Sequence, residues 1–577
     1  MKEQSFNKTQ TIQYDNKTNI MKKPQLISAI SLLFISSQLM AQTTLIKNVN
    51  GYTFIDKSLT QFSALSFTDD TINKVYLRGE EVREPKGVIV IDGQGQTMLP
   101  GLIDAHGHVL GYGHSLLRVD LVGTSSEQGA VNRTIAYDKE NPSMSWVLGR
   151  GWNQVQWPTN TYPTANSLDK AFPNKAVWLR RVDGHAGWAN SKAMALAGIT
   201  SKSESPLGGE IIKGENGQPT GVFIDNAMEL IIASIPQPSL EEDKVALTKA
   251  MQSLAGLGLT SVHDAGIDQK NIALYKRLAN EESMAIRINA MLYLPSIDWQ
   301  QQLQQGPFKT QDDMFVINSV KIQADGALGS RGASLIDDYS DHAGHKGLLL
   351  HETKELQHYI DFAMDSGFQV NTHAIGDNAN KLILDLYQQA IKKSKTKALR
   401  HRIEHAQVLR LEDIPRFSSL NIIASMQATH ATSDKNMAVT RLGDKRILGA
   451  YAWRKLLDSN AIIAAGSDFP VESPNPFYGL HASITRQDHN NLPVGGWYED
   501  QKMTRAEALR SFTLDAAYAG HQEKLIGSLE AGKKADFILL ARDILTMPES
   551  EIWQSQVSQT WVAGKKVFSA TDVTSAK

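Results

Sequence analysis

The chain has 577 residues, of which 41% are hydrophobic and 21% are charged, a balance typical of soluble globular proteins. Its formal net charge of −2 favours neither nucleic acid nor an anionic membrane surface as a partner. The sequence contains no cysteine, which excludes disulfides, thiolate metal ligands and cysteine nucleophiles. A metal held by this protein would therefore need nitrogen and oxygen ligands.

Residues 1–41 are predicted to be an upstream extension followed by a signal peptide. A basic start at Met21 to Lys23 precedes the largely apolar residues 26–40, and Ala41 marks a plausible cleavage point. The apolar run is short and interrupted by serine, so a membrane anchor or a buried helix is the weaker alternative. We expect an exported protein, periplasmic or secreted, that has no membrane association after cleavage.

Eight short apolar segments have the composition of strands, and most are separated by stretches with helical periodicity. They are Leu99–His106, Leu259–Asp264, Ile286–Leu292, Phe315–Ile322, Phe368–His373, His401–His405, Asn421–Met426 and Ala461–Asp468. Strands that alternate with helices form parallel sheets through right-handed crossovers. The pattern predicts an α/β fold, a (β/α)8 TIM-type barrel over residues 99–523, with a doubly wound open sheet as the alternative.

The connection after the first predicted strand is far longer than a crossover needs. It is rich in Trp, Gly and Pro and contains strand-like runs of its own, which predicts an inserted subdomain at about 115–250 over the barrel mouth. Residues 42–98 and 524–577 hold further short strands. We expect these two terminal segments to pair with each other as a small β-sandwich.

Polar side chains stand at the ends of five predicted strands, where the catalytic residues of such barrels lie. They are His106 and His108 at the first strand, Lys321 at the fourth, His373 at the fifth, His405 at the sixth and Asp468 at the eighth. His106 and His108 are two residues apart, so in an extended strand both face the same side. A single histidine of this kind is often a core residue, whereas five such strand ends indicate one metal-binding site.

Several motifs identify a family. They are Gly151-Trp152-Asn153, Arg181 to His185, Val320 to Arg331, Gly466 to Val471 and Gly527 to Asp536. With the strand-end residues, they make the chain similar to the amidohydrolase superfamily, and within it to the YtcJ-like branch (amidohydrolase family 3), which includes N-substituted formamide deformylases. Asn153 departs from the pattern, because many relatives have Asp there. The motifs are specific for the branch and uninformative about the substrate.

The resemblance implies a role for each strand-end residue. His106, His108 and Asp468 would bind one metal ion, His373 and His405 would bind a second, and Lys321 would bridge them as a carbamate. The alternative is an unmodified Lys321 beside a single metal. Zinc suits imidazole and carboxylate ligands, and manganese, iron or cobalt would also fit. We therefore expect one or two divalent metal ions.

The resemblance also implies a reaction. A hydroxide formed on the metal would attack a non-peptide carbon–nitrogen bond of an amide or formamide in a small-molecule substrate, with Asp468 as general acid and base. A heterocycle deaminase and an ester or lactone hydrolase on the same barrel are the alternatives. A non-catalytic regulatory protein is a further one, because fold does not imply function. A homodimer is possible.

Four other residues are candidates for substrate contact. His185 and Trp152 belong to the predicted insertion, His263 ends the second predicted strand, and Arg331 follows the fourth. Three of them have a structural alternative: a surface position for His185, core or lid packing for Trp152, and structural pairing for Arg331. We predict no organic cofactor.

Overall fold

The computed structural model describes residues 42–571, apart from residues 85, 182–185, 207–208, 330 and 397. The predicted upstream extension and signal peptide, residues 1–41, lie outside the described residues. Within the described part of the chain, none of the helices combines the length and the apolar character needed to cross a membrane.

The described chain begins with five strands that belong to one mixed sheet. They are β1 (Thr43–Ile55), β2 (Ser58–Thr68), β3 (Thr71–Leu77), β4 (Ile89–Asp92) and β5 (Thr97–Pro100). β1 pairs antiparallel with β2 along its length, with an irregularity between Lys47 and Gly51. On its other edge, β1 pairs with β4 before that irregularity and with β5 after it.

A long insertion separates the first barrel strand, β6 (Leu102–Gly107), and helix α1 (Val109–Leu116) from the rest of the barrel. Its strands are β7 (Val119–Asp120), β8 (Trp146–Trp152), β9 (Ala176–Arg181), β10 (Ala186–Ala189), β11 (Gly209–Lys213) and β12 (Pro219–Asp225). Its helices are α2 (Glu127–Glu140), α3 (Ala165–Ala171), α4 (Ser191–Leu196) and α5 (Glu229–Ile232). The strands form a separate sheet in the order β11-β12-β10-β9-β8-β7, packed around buried tryptophans.

Seven further parallel strands complete the barrel. They are β13 (Leu259–Ile267), β14 (Arg287–Leu294), β16 (Phe315–Gln323), β17 (Gln369–Ala374), β18 (Arg402–His405), β19 (Ile423–Gln427) and β20 (Ile463–Gly466), while β15 (Phe308–Lys309) pairs with the edge of β16. The barrel order is β6-β13-β14-β16-β17-β18-β19-β20. Backbone bonds from Asp468 N to His106 O (2.7 Å) and from His108 N to Phe469 O (2.8 Å) join its first and last strands.

Helices occupy the connections between these strands, as the periodicity predicts. They are α6 (Leu240–Gly256), α7 (Gln269–Asn280), α8 (Trp299–Gln304), α9 (Thr353–Asp365), α10 (Asp377–Lys393), α11 (Ile414–Ser419), α12 (Ala428–Asp434), α13 (Ala438–Arg446), α14 (Trp453–Asp458), α15 (Pro476–Thr485), α16 (Arg505–Ser511) and α17 (Leu514–Ala519). Local sequence fixes several starts: the Ser239 hydroxyl and the Glu242 carboxylate cap α6 reciprocally. All eight predicted strands overlap observed ones, and the predicted TIM-type barrel is confirmed.

The C-terminal strands β21 (Phe537–Leu540), β22 (Val557–Val562) and β23 (Lys565–Ser569) return to the N-terminal sheet. β21 pairs antiparallel with β5, so the full order is β23-β22-β21-β5-β1-β2-β3. The sheet folds over itself, because Phe67 packs on Phe537 and Trp561 with ring centroids 6.0 Å apart in both pairs. Buried Arg287 donates to Asp536 at 2.7 and 3.1 Å, which ties the barrel to this sheet.

Candidate metal centre

The carboxyl ends of the barrel strands surround a cavity of about 410 Å³. All six residues predicted as metal ligands line it: His106, His108, Lys321, His373, His405 and Asp468. The architecture explains this, because parallel strands present their carboxyl ends at the same face of the barrel.

His106 is oriented by two buried charged residues, Glu404 and Arg402. Its Nδ1–H donates to the Glu404 carboxylate, and Arg402 donates to that carboxylate at 2.7 and 2.9 Å. Although burial opposes it, Arg402 and His106 keep the pKa of Glu404 well below its ordinary value. Burial, with nearby Lys321, lowers the pKa of His106 to about 4, so the imidazole is neutral and its Nε2 can act as a ligand.

His108 and Asp468 meet beside His106. His108 Nε2 donates to Asp468 Oδ1 at 3.1 Å, and His106 Nε2 lies 3.6 Å from the same oxygen. Burial acts against ionisation, yet the His108 hydrogen bond and the neighbouring histidines hold the pKa of Asp468 well below its usual range. The Asp468 backbone has a left-handed φ of 61°, a strained conformation that turns the carboxylate into the cavity. At Gly466, a Cβ would lie 2.6 Å from His106 N, so this close approach of strands requires glycine.

His373 and His405 form the opposite side of the centre, with ring centroids 4.5 Å apart. His405 donates Nδ1–H to Gln427 Oε1 at 2.7 Å, which leaves its Nε2 as the free nitrogen. His373 is only 9% exposed, yet its Nε2 has no hydrogen-bond partner. A buried polar atom without a partner is costly in a stable protein, so this nitrogen indicates a ligand.

Lys321 lies at the bottom of the cavity and is 6% exposed. Its Nζ donates to His106 Nε2 at 3.1 Å. Burial lowers the pKa of Lys321, an effect opposed by Glu404 and Asp468. The amine is therefore placed among the predicted ligands, and it is easier to deprotonate than an exposed lysine.

The residues present fit a metal ion. Ligand atoms of His106, His405 and Asp468 all lie within 4.8 Å of one another, and all three residues are buried. Imidazole nitrogens and a carboxylate are the donors that zinc and related divalent metals prefer. The unpartnered nitrogen of His373 adds a further donor in the same cavity.

The family model for the amidohydrolase family matches residues 89–568, which is most of the chain. The chain belongs to the amidohydrolase family. It is 31% identical to "Putative amidohydrolase YtcJ" of Bacillus subtilis (strain 168) over 482 residues, covering 82% of this chain and 89% of that protein. It is 27% identical to the N-substituted formamide deformylase of Arthrobacter pascens, again over 82% of this chain and 89% of that protein. The resemblance to the YtcJ-like branch is confirmed.

A solved structure agrees with both fold and chemistry. The uncharacterized metal-dependent hydrolase from Pyrococcus horikoshii OT3 superposes with a TM-score of 0.71 and 26% identity, covering 88% of this chain and 99% of that one. With the family match and the donor set of the cavity, this likeness identifies the amidohydrolase as a metal-dependent hydrolase.

Three of the four predicted substrate-contact residues, His263, Trp152 and Arg331, do not line the cavity. His263 is buried inside the barrel, where its Nδ1 accepts from Arg402 at 2.9 Å, so it supports the centre from below. Trp152 lies in the core of the insertion and donates to Leu179 O at 2.8 Å. Arg331 pairs with Asp341 at 2.9 Å. None of these three residues lines the cavity, so their contact with a substrate stays a prediction, and His185 lies outside the described residues.

Other side chains of the amidohydrolase centre lie outside the predicted ligand set, and three of them, Glu404, Gln427 and His430, were not predicted from the sequence. Glu404 and Gln427 orient ligand histidines, and Asp325 lies 3.4 Å from His373 Nε2 while accepting three backbone N–H groups. His430 lines the cavity from the first turn of α12. Glu404 stands directly before His405, and its type was a usable signal, because a carboxylate inside a buried barrel strand requires a buried partner.

Proposed function

We propose that this protein hydrolyses a carbon–nitrogen bond of a small amide or formamide. The observation that carries the proposal is the position of Asp468. Its Oδ1 faces His106 and His108, while its other oxygen lies on the side of the cavity lined by His430. A carboxylate with one oxygen at the ligand cluster and one directed to the substrate space suits a general base.

We propose that His106, His108 and Asp468 hold one divalent metal ion, with zinc as the first candidate, and that His373 and His405 hold a second. Such an ion supplies Lewis acidity to water and to a carbonyl oxygen. Glu404 and Gln427 support this assignment, since each accepts the Nδ1–H of a ligand histidine and so directs its Nε2 into the cavity.

The protein's own part in the reaction is proton transfer. Asp468 accepts a proton from water as the water oxygen bonds to the carbonyl carbon and the carbonyl electrons move to oxygen. When the tetrahedral species collapses, the carbon–nitrogen bond breaks and Asp468 returns the proton to the leaving nitrogen. The products are a carboxylic acid, or formic acid from a formamide, and an amine.

We propose further that Lys321 is carboxylated on Nζ. Its ammonium form would be repelled by the positive charge of the metal ions that the surrounding ligands would hold, whereas a carbamate offers two anionic oxygens. The short distance from Lys321 Nζ to His106 Nε2 supports this role, because it places the modified group within the ligand cluster.

The walls of the cavity favour an amide without a carboxylate. Asp434 and Glu472 line the mouth, and the described lining residues include no arginine and no lysine other than Lys321. The apolar residues Leu328 and Ile375 line the same cavity. A substrate with an apolar, neutral or cationic body suits these walls, and the formamide deformylase relative makes N-substituted formamides the first class to test.

The test combines metal analysis with a substrate panel. Protein purified without chelator is analysed by elemental mass spectrometry, beside Lys321→Ala and the exposed control Lys309→Ala. We expect about two metals per wild-type and control chain, fewer in Lys321→Ala, and turnover of N-benzylformamide over N-formylglycine. One metal unaffected by Lys321→Ala would exclude the bridge. No metal, even after addition of zinc or manganese, would overturn the enzymatic proposal.

The panel also separates the alternative reactions. A lactone or ester cleaved faster than every amide would identify an ester or lactone hydrolase, and ammonia released from an aminated heterocycle would identify a deaminase. Metal binding without turnover would favour a regulatory protein. The mature protein's N-terminus, determined by mass spectrometry of exported material, tests cleavage near Ala41, and size-exclusion chromatography tests the homodimer.

A further inference from the structure

His430 occupies a position in the catalytic cavity that the six ligand residues leave unexplained. It follows β19, the seventh barrel strand, and lies in the first turn of α12. Its ring stacks nearly parallel on that of His405, at 20° and with centroids 6.0 Å apart. This packing fixes the plane of the imidazole at the wall of the cavity.

The Nε2 atom of His430 is buried and has no hydrogen-bond partner. It lies 3.9 Å from Asp468 Oδ2, too far for a hydrogen bond. His430 thus lies in the wall of the cavity, with this nitrogen beside the carboxylate of Asp468.

We propose that His430 is a catalytic residue that donates a hydrogen bond from Nε2 to the oxyanion of the tetrahedral species. The inference rests on the proposed amide hydrolysis. When water adds to the carbonyl, one proton of the water moves to Asp468. One carbon then carries two oxygens: the new hydroxyl, which keeps the other proton, and the former carbonyl oxygen, which has gained negative charge. Asp468 Oδ2 and His430 Nε2 lie 3.9 Å apart, so Asp468 can contact the hydroxyl while His430 donates to the oxyanion.

The arrangement also explains why the donor lacks a partner within the protein. A donor directed to the position where charge develops stabilises the transition state more than the planar substrate. A partner in the resting protein would have to be displaced first. His405 and the first turn of α12 hold the imidazole in place, so little reorganisation accompanies the reaction.

The test uses the zinc-loaded protein and two small probes. Methylphosphonate is tetrahedral and imitates the oxyanion, whereas acetate is planar. Calorimetric titration compares wild type with His430→Ala, His430→Gln and His358→Ala, an exposed histidine on α9. We expect His430→Ala to weaken methylphosphonate binding at least tenfold and acetate binding much less, His430→Gln to lie between, and the control to match wild type.

Kinetics on 4-nitroformanilide give the second readout. We expect kcat of His430→Ala to fall by about 10²–10³-fold with little change in KM, and added imidazole to restore part of the rate. Bound zinc, measured by elemental mass spectrometry, should match wild type. Unchanged methylphosphonate affinity, a wild type that binds no methylphosphonate, or loss of zinc in His430→Ala would overturn the proposal. Binding as expected in a protein that cleaves no amide would instead overturn the proposed reaction.

Discussion

The barrel mouth and the core of the insertion both bury large side chains that stand out in the sequence, yet their polar atoms differ. In the insertion, the indole nitrogens of Trp152, Trp157 and Trp188 donate to backbone oxygens at 2.8, 3.0 and 2.9 Å, whereas that of Trp178 has no partner and lies outside the cavity. At the mouth, the Nε2 atoms of His373 and His430 have no hydrogen-bond partner. A ring whose polar atom is satisfied contributes packing, whereas an unsatisfied buried nitrogen on a residue that lines a cavity indicates a site for a ligand.

Backbone conformation separates the mouth further from an ordinary core. His405 and Asp468 have left-handed φ angles of 74° and 61°, although neither is glycine. Such conformations cost energy and persist where surrounding contacts fix them. Here those contacts are Gln427 for His405 and His108 for Asp468. Part of the folding free energy therefore maintains the centre.

The largest expected effect tests the chemistry of the mouth. Asp468→Asn removes the proton acceptor, and we expect kcat on 4-nitroformanilide to fall by about 10³-fold. Asp488→Asn is the matched control, because Asp488 pairs with Lys435 outside the ligand cluster. Steady-state kinetics with measured metal content provide the readout. A rate within a few fold of wild type would exclude Asp468 as the base.

The next largest effect is expected on stability, from a change in the packed core of the insertion. Trp152→Ala leaves a cavity in the core of the insertion, and we expect a loss of about 3 kcal/mol in the free energy of unfolding. The kcat of the folded protein should stay near the wild-type value. Urea unfolding and steady-state kinetics measure both quantities. A fall in kcat without loss of stability would indicate that Trp152 contacts the substrate.

A smaller effect is expected for Glu404, whose carboxylate accepts a hydrogen bond from the ligand His106. Glu404→Gln weakens the contact that orients His106, and we expect affinity for zinc to fall about 10–100-fold. Competition with a chelator measures this, and Glu523→Gln, whose carboxylate pairs with partly exposed Arg400, is the control. Equal zinc affinity in both variants would show that His106 needs no orienting carboxylate.

The smallest effect is expected for Arg331, which belongs to a sequence motif but not to the metal centre. Arg331 belongs to the sequence motif after the fourth strand but pairs with Asp341 at the surface. We expect Arg331→Ala to leave both kcat and KM unchanged, because Arg331 does not line the cavity. Steady-state kinetics with N-benzylformamide give the answer, and a raised KM would assign Arg331 to the substrate after all.

The sequence was sufficient for the barrel, because each strand is a short buried run bounded by helical periodicity. It was also sufficient to bring the strand-end residues together, since the fold places the carboxyl ends of all eight strands at one face. The residues that contact the substrate were harder to predict from the sequence. Whether Trp152 or Arg331 reaches the cavity depends on how a loop or an insertion packs, and local pattern does not encode that.

Two residues show how the centre departs from simple strand rules. Alternation places Glu404 and His405 on opposite faces of β18, yet both serve the centre, because the left-handed backbone at His405 turns its ring inward. His430 lies three residues beyond the end of β19, in a helix, so a search confined to strand ends overlooks it.

The pairing of β5 with β21 has a consequence for the order of synthesis. β5 ends one residue before the first barrel strand, and its partner β21 begins only at residue 537 of 577. A growing chain on the ribosome therefore carries an unpaired edge at β5 and an uncovered Phe67 until β21 has been made. Chains that stop before β21 keep both features exposed, so this sheet distinguishes chains that include β21 from chains that lack it.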